Sequence, residues 1–120
     1  MDKVNHYRQI LQKVMEETAA MLSEGNEVAI LPVCDSIHDQ YLMISLGWHK
    51  IGRREHAIVF HAQLRGDRVL IETDRVEESA TSYLIEAGID RNDIEFAWNR
   101  NRRSESRPAV LPEKLEAIAA

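Results

Sequence analysis

Four side chains of the types that bind metals fall close together in the sequence, namely Cys34, Asp35, His38 and Asp39. Thiolate, imidazole and carboxylate groups are common ligands of divalent metals, and a bend between two strands would bring them together. Their spacing matches neither a zinc motif nor an EF-hand loop. The sequence favours a bend in which Asp35 accepts hydrogen bonds from backbone amides and His38 is solvated. We predict no metal and no cofactor.

Histidine also invites a chemical role, because its unperturbed side chain titrates near neutral pH. The chain has five: His6, His38, His49, His56 and His61. His61 shares a predicted strand face with Val59 and Gln63, where an imidazole is expected to be hydrogen-bonded rather than catalytic. Cys34 has no histidine in a recognised protease signature and is interpreted as a small buried thiol.

The acidic segment Glu72-Thr73-Asp74 is the remaining candidate for catalysis. A metal-dependent nuclease would need such carboxylates and a nearby lysine, but the nearest basic residue is Arg75, which does not readily exchange a proton. Asp74 and Glu77 instead fit the start of a helix, where carboxylates accept hydrogen bonds from free amides. No glycine-rich phosphate loop is present. We predict that the chain is not an enzyme and has no catalytic residues.

The charge is unevenly distributed along the chain. Residues 100–107 contain four arginines and one glutamate, giving +3, which leaves 11 basic and 19 acidic residues, or −8, for the rest of a chain of net charge −5. The arginines are Arg100, Arg102, Arg103 and Arg107. With Trp98 beside them, they are the candidate for DNA contact, because arginine pairs with phosphate and tryptophan stacks on bases. A solvated loop, or an arm that docks on an acidic copy of the chain, remains an alternative.

The length and composition indicate one domain in a reducing compartment. A chain of 120 residues can bury a core of its own. Its single cysteine cannot form an internal disulfide, which fits the cytoplasm. No apolar run approaches the length of a membrane span, and the N-terminus lacks a signal-peptide pattern.

Apolar periodicity predicts the elements that would position these side chains. Spacing of i, i+3, i+4 and i+7 predicts a helix over residues 3–23, with Asp2 as its N-cap and Gly25-Asn26 beyond its end. The period then changes to two, predicting strands over 28–33, 41–48, 58–64 and 68–73. Pro32 indicates that the first of these is an edge strand.

A two-residue turn at Gly66-Asp67 predicts a hairpin between the last two of these strands. A short helix ending at Gly88 and a strand containing Ile94, Phe96 and Trp98 follow. The predicted fold is therefore α+β: an N-terminal helix packed on a four-stranded antiparallel meander, then a short helix and a final strand. Residues 1–98 form the domain, and 99–120 form a polar Arg-rich loop with a short C-terminal helix.

Residues at defined intervals along these elements, polar ones as well as apolar, resemble the XisI-like family over residues 1–98. They are Val4, Asn5, Tyr7, Arg8, Asp35, Asp39, Tyr41, Gly47, Trp48, His61, Gly66, Ile71, Asp74, Glu77, Gly88, Asp93 and Ile94. The resemblance implies a factor that controls excision of the DNA element interrupting fdxN, alongside a site-specific recombinase and XisH, or membership of a paralogous group whose role is unassigned. It also implies that XisH, whose fold is endonuclease-like, is the protein partner. No catalytic residues are assigned to the family.

The sequence departs from the family pattern in several places. Gln63 stands where an aspartate commonly follows His61 by two residues, Leu70 replaces an aromatic residue, and Arg75-Val76 replaces Gly-Thr. The arginine-rich end also differs from the family's usual His-Pro rich ending.

Together these observations predict a non-enzymatic controlling factor that binds a XisH-like protein, and through it a recombinase complex and DNA. Tyr41, Trp48 and Trp98 are predicted to contact the partner, with the exposed sheet edge, because aromatic residues are enriched in interface hot spots. Direct DNA binding by the segment Arg100 to Arg107 is the first alternative. A homo-oligomeric protein of unassigned function is the second.

Overall fold

The computed structural model describes residues 2–99 and begins with the long helix α1, Lys3–Ser23. Asp2 caps it by accepting a hydrogen bond from the Val4 amide at 3.0 Å. Gly25 beyond its end has a φ of 74°, a conformation that glycine adopts without strain. The predicted bounds and N-cap of this helix are confirmed. Within residues 2–99, no helix is long and apolar enough to cross a membrane.

Four antiparallel strands follow in a meander, and each pairs with the next along the chain. They are β1, Ala29–Asp35; β2, Gln40–Trp48; β3, Arg54–Arg65; and β4, Arg68–Asp74. β1 lies at the edge of the sheet, as Pro32 predicts. The turn between β3 and β4 is formed by Gly66 and Asp67, with a φ of 61° at the glycine.

The last part of the described chain adds a fifth strand to the same sheet. Helix α2, Ala80–Ala87, crosses back from the end of β4, and β5, Ile94–Phe96, pairs with β4 in parallel. The predicted short helix and final strand are confirmed, but Trp98 lies outside the strand, in a 3-10 turn over Ala97–Asn99. The predicted loop and helix beyond residue 99 lie outside the described residues.

The hydrophobic core lies between the two helices and one face of the sheet. Helix α1 contributes Tyr7, Leu11 and Met15, and α2 contributes Leu84. The strands contribute Ile30, Tyr41, Met43, Phe60, Ala62, Leu64, Val69 and Ile71. Since successive side chains of a strand point to opposite faces, the residues between these core positions point away from both helices.

Candidate functional site

The predicted metal-ligand cluster is a hydrogen-bonded bend. Asp35 Oδ1 accepts hydrogen bonds from the amides of Ile37 at 2.9 Å and His38 at 3.1 Å, and Asp35 Oδ2 lies 2.7 Å from His38 Nδ1. These bonds, led by the one from the His38 amide, lower the pKa of Asp35. The predicted role of Asp35 in the bend is confirmed. Across residues 2–99 no three His, Cys, Asp or Glu side chains are grouped closely enough to hold a metal.

Asp39 joins the tip of the β1–β2 hairpin to the first helix. Its carboxylate accepts from Arg8 Nε at 2.8 Å and Nη2 at 3.0 Å, and from the Tyr41 hydroxyl at 3.0 Å. The bond from Arg8 lowers the pKa of Asp39, whereas burial and then the bond to Asp39 raise the pKa of Tyr41. The Tyr41 side chain is 0% exposed. Its predicted role in contacting a partner is therefore wrong, because the sheet and α1 enclose it.

Asp93 joins the same helix to the segment before β5. The Tyr7 hydroxyl donates to Asp93 Oδ2 at 2.5 Å and accepts from the Asp90 amide at 3.1 Å. Lys3 Nζ lies 2.7 Å from Asp93 Oδ2 and is the main cause of the lowered pKa of Asp93. These contacts hold the two ends of the described chain together.

Asp74 organises the start of α2, as predicted. It accepts hydrogen bonds from the amides of Ala80 and Thr81 and from the hydroxyls of Ser79 and Thr81, at 2.8–3.2 Å. Glu77 was predicted to share this role, but the helix begins at Ala80, so Glu77 lies ahead of its first turn. Within the acidic segment Glu72-Thr73-Asp74, Asp74 therefore has a structural role.

His61 belongs to a chain of polar side chains across three strands. Its Nε2 lies 2.8 Å from Gln40 Oε1, Gln40 Nε2 donates to Gln63 Oε1 at 3.3 Å, and Gln63 donates to Glu72. Burial lowers the pKa of His61, which favours the neutral ring near pH 7. The predicted hydrogen-bonded histidine is confirmed.

A second histidine bridges two carboxylates, and the sequence pattern did not reveal it. His49 Nδ1 lies 2.6 Å from Glu27 Oε2, and its Nε2 lies 2.6 Å from Glu55 Oε1. The bond to Glu55, then that to Glu27, raises the pKa of His49. These residues meet because β2 and β3 pair beside the start of β1, and no spacing along the chain indicates this.

The two tryptophans of the chain are both exposed, Trp48 by 64% and Trp98 by 58%. Arg54 lies over the Trp48 ring at 5.4 Å from its centroid, and the Trp98 ring lies 5.0 Å from that of Phe96. Exposed tryptophan is unusual because its apolar area is large. Both residues are accessible to a partner. The candidate DNA contacts Arg100, Arg102, Arg103 and Arg107 lie outside the described residues.

The outward side chains of β1–β3 form an apolar surface, here called the open face. It comprises Leu31, Val33, Leu42, Ile44, Leu46 and Ile58. Leu31, Val33 and Ile58 are exposed by 40%, 43% and 43%. The alternation of β2 is apolar on both sides, so the sequence did not indicate which face meets the helix.

These features define the class: a small α+β protein with one sheet face covered by helices, internal polar contacts, and exposed apolar side chains on the other face. The model of the XisI family, described as XisI protein, matches residues 1–108. The chain belongs to this family. The match extends past residue 98, where the predicted resemblance ends.

Two solved structures are similar to the chain. The fdxN element excision controlling factor XisI from Anabaena variabilis has 25% identity and a TM-score of 0.65, over 87% of this chain and 100% of that chain. A XisI-like protein from the same organism has 18% identity and a TM-score of 0.66, over 76% of this chain and 83% of that chain. The second likeness concerns the fold alone. No curated protein matches the sequence.

Proposed function

We propose that this chain is a non-enzymatic controlling factor in the excision of a DNA element and acts by binding a XisH-like protein of endonuclease-like fold. Membership of the XisI family supports the role. A solved XisI described as an excision controlling factor is similar to this chain over 87% of this chain and 100% of its own length, which gives further support. The XisH-like partner is proposed because the family resemblance implies it.

Trp98 is the observation that carries the partner-binding part of this proposal. Its ring is 58% exposed and lies 5.0 Å from the Phe96 ring. A hollow of about 320 Å³ next to Phe96 is lined by Ile85, Ile94 and Phe96 together with the polar residues Ser79, Thr81, Ser82 and Arg91. An exposed tryptophan is typical of an interface hot spot, because its burial on binding removes a large apolar area from water.

The polar side chains on which the resemblance rests support binding rather than chemistry. Asp39, Asp74 and Asp93 each accept hydrogen bonds from at least two groups of the chain. A catalytic carboxylate must reach a substrate, whereas these groups are engaged in stabilising a bend, a helix start and a helix-to-strand contact. The same argument applies to His61, which is held by Gln40.

The test is co-expression of the full chain with a XisH-like protein, followed by co-purification and calorimetry of the purified pair. We expect a stable complex, and Trp98→Ala should weaken it by about 30-fold, corresponding to the roughly 2 kcal/mol of an interface hot spot. Ile51→Ala is the control, since it removes a strongly exposed apolar side chain between β2 and β3 that is not among the predicted contacts, and it should change the affinity by less than about threefold. Failure to form a complex at micromolar concentrations would contradict the proposal.

A further inference from the structure

A groove of about 690 Å³ lies along the contact between α1 and α2. Ile10, Val14 and Thr18 line it from α1 and are buried, and because they are four residues apart they form one row along that helix. Ala87 lines the groove from α2, and Met21, at the end of the row, is 49% exposed. Polar side chains border the row, namely Gln9, Lys13, Glu17 and Glu86. The groove therefore has an apolar floor and a polar border.

The dimensions of the groove suit a short amphipathic helix. Its lining runs along α1 from His6 to Met21, which is about 22 Å at 1.5 Å per residue. Helices bind such grooves through apolar residues at i, i+4 and i+7, which lie on one face of the helix. A helix of about twelve residues is ~18 Å long and fits within this length.

We propose that residues 109–120 of the same chain pack in this groove as a helix. The segment follows the described residues, and its sequence has the required pattern, with Leu111, Leu115 and Ile118 at i, i+4 and i+7. Pro112 suits the first turn of such a helix. The match to the family model ends at residue 108, so this segment lies outside it. The inference concerns this chain alone and does not rest on the proposed function.

The described chain ends within reach of the groove. Phe96 and Ser82 line one hollow, so β5 ends beside the first turn of α2, and Tyr83, next to Ser82, lines the groove. Half the circumference of a helix ~11 Å wide is about 17 Å. The nine residues 100–108 span as much as about 30 Å when extended. The connection is therefore long enough to pass around α2.

Charge along this path favours the contact. Residues 100–107 carry +3, whereas α2 and the turn before it carry Glu77, Glu78 and Glu86. Glu78 accepts a hydrogen bond from the Tyr83 hydroxyl at 2.7 Å, which places its carboxylate beside the groove. Opposite charges attract each other over about 8 Å at physiological salt. The basic residues are thus drawn to the surface that the connection must cross.

The covalent connection favours this segment over the same segment of a second copy. A ligand joined to its site by a short linker has an effective concentration there of about 1 mM. At micromolar concentrations of the chain, the segment of another copy is therefore about a thousandfold less concentrated at the groove. A segment from another molecule also loses translational and rotational freedom on binding. The groove is therefore assigned to the chain's own segment.

The test is NMR spectroscopy of the full chain with ¹³C-labelled methyl groups. We expect NOEs from the methyl groups of Leu115 and Ile118 to those of Ile10, Val14 and Met21. Met21→Asp should abolish the NOEs to the groove and make the amides of residues 113–120 exchange at least about tenfold faster, because it places a carboxylate against the apolar face of the helix. Met21 is half exposed, so this variant should keep a folded core.

Ile51→Asp is the matched control, because Ile51 is an apolar residue exposed by 85% that does not line the groove. It should leave the NOEs and the exchange rates unchanged. Leu115→Asp tests the other side of the contact and should remove the NOEs from Ile118 to the groove.

Three results would overturn the inference: no NOEs between residues 109–120 and the groove in the wild type, the same NOEs in a folded Met21→Asp variant, or NOEs found only between copies in a mixture of labelled and unlabelled chains. The third result would assign the groove to a second copy. A wild type without these NOEs whose binding to a XisH-like protein is lost with Met21→Asp would assign the groove to that protein. Failure to bind a XisH-like protein with the NOEs intact would contradict only the proposed function.

Discussion

Arg8 and Asp39 form a two-point ion pair between α1 and the tip of the β1–β2 hairpin, with Nε–Oδ1 at 2.8 Å and Nη2–Oδ2 at 3.0 Å. The planar guanidinium matches both carboxylate oxygens, which a lysine could not do. Asp39 has a φ of 53°, so it occupies a left-handed position that aspartate tolerates better than most residues. This pair fixes the hairpin against the helix.

The ion pair predicts a loss of stability in acid. The pKa of Asp39 is lower in the folded chain than its unfolded value of about 3.9, so the contribution is present above that value and is lost as the pH falls through the folded pKa. In urea unfolding from pH 7 to pH 3, wild type should lose more stability than Asp39→Asn, because the variant has no carboxylate to protonate. Parallel curves for the two proteins would contradict this assignment.

Tyr41 should behave as a core residue with one useful hydrogen bond. Tyr41→Phe removes only the hydroxyl that donates to Asp39 and should lower the free energy of unfolding by about 1 kcal/mol. Tyr41→Ala also leaves a cavity in the core and should lower it by about 3–5 kcal/mol. Urea unfolding measures both. If Tyr41→Phe retains its fold but loses affinity for a XisH-like protein, Tyr41 also takes part in partner binding, which would contradict a purely structural role.

Asp74 and Glu77 should differ sharply although only three positions separate them. Asp74→Ala removes the acceptor of four hydrogen bonds at the start of α2 and should lower the free energy of unfolding by about 2–3 kcal/mol. Glu77→Ala, at an exposed position ahead of the helix, should change it by less than about 0.5 kcal/mol. Similar losses in the two variants would refute this account of the helix start.

His49 should make the chain less stable as the pH rises above neutral. Its pKa is raised in the folded chain by Glu55 and Glu27, so the stabilisation is complete below the unfolded pKa of about 6.5 and is lost as the pH rises through the folded pKa. An NMR titration should place the His49 pKa above its unfolded value and above the pKa of His61, which burial lowers. His49→Gln should flatten the decline of the urea midpoint between about pH 6 and pH 9. An unshifted pKa for His49 would count against this bridge.

The elements of the fold were predictable from the sequence because apolar periodicity is a local property. The pattern of α1 gave its bounds, and Pro32 and Gly66 gave an edge strand and a hairpin turn. Local pattern did not reveal the orientation of β2, since Tyr41 and Met43 face the core while Leu42 and Ile44, equally apolar, face outward.

The contacts of the candidate site were less predictable because they join distant positions. Glu27 meets His49 from 22 residues away, and Arg8 meets Asp39 from 31 residues away. Asp74 was identified correctly, since capping acts within a few residues of the helix start. The sequence did not indicate which side of β2 faces the helices. The exposure of Trp48 and the burial of Tyr41 both follow from that orientation, so neither was predictable.

The hydrogen bond from Tyr7 to Asp93 joins positions 86 residues apart. It closes nearly the whole described chain into a single loop. Closing so long a loop costs conformational entropy, and the free energy of the contact offsets that cost only once the loop is closed. This hydrogen bond should therefore form late in folding, after the meander. While this hydrogen bond is formed, the first helix and the last strand are held together. Thermal melting of this domain should therefore be one cooperative event rather than a separate, earlier loss of its C-terminal strand.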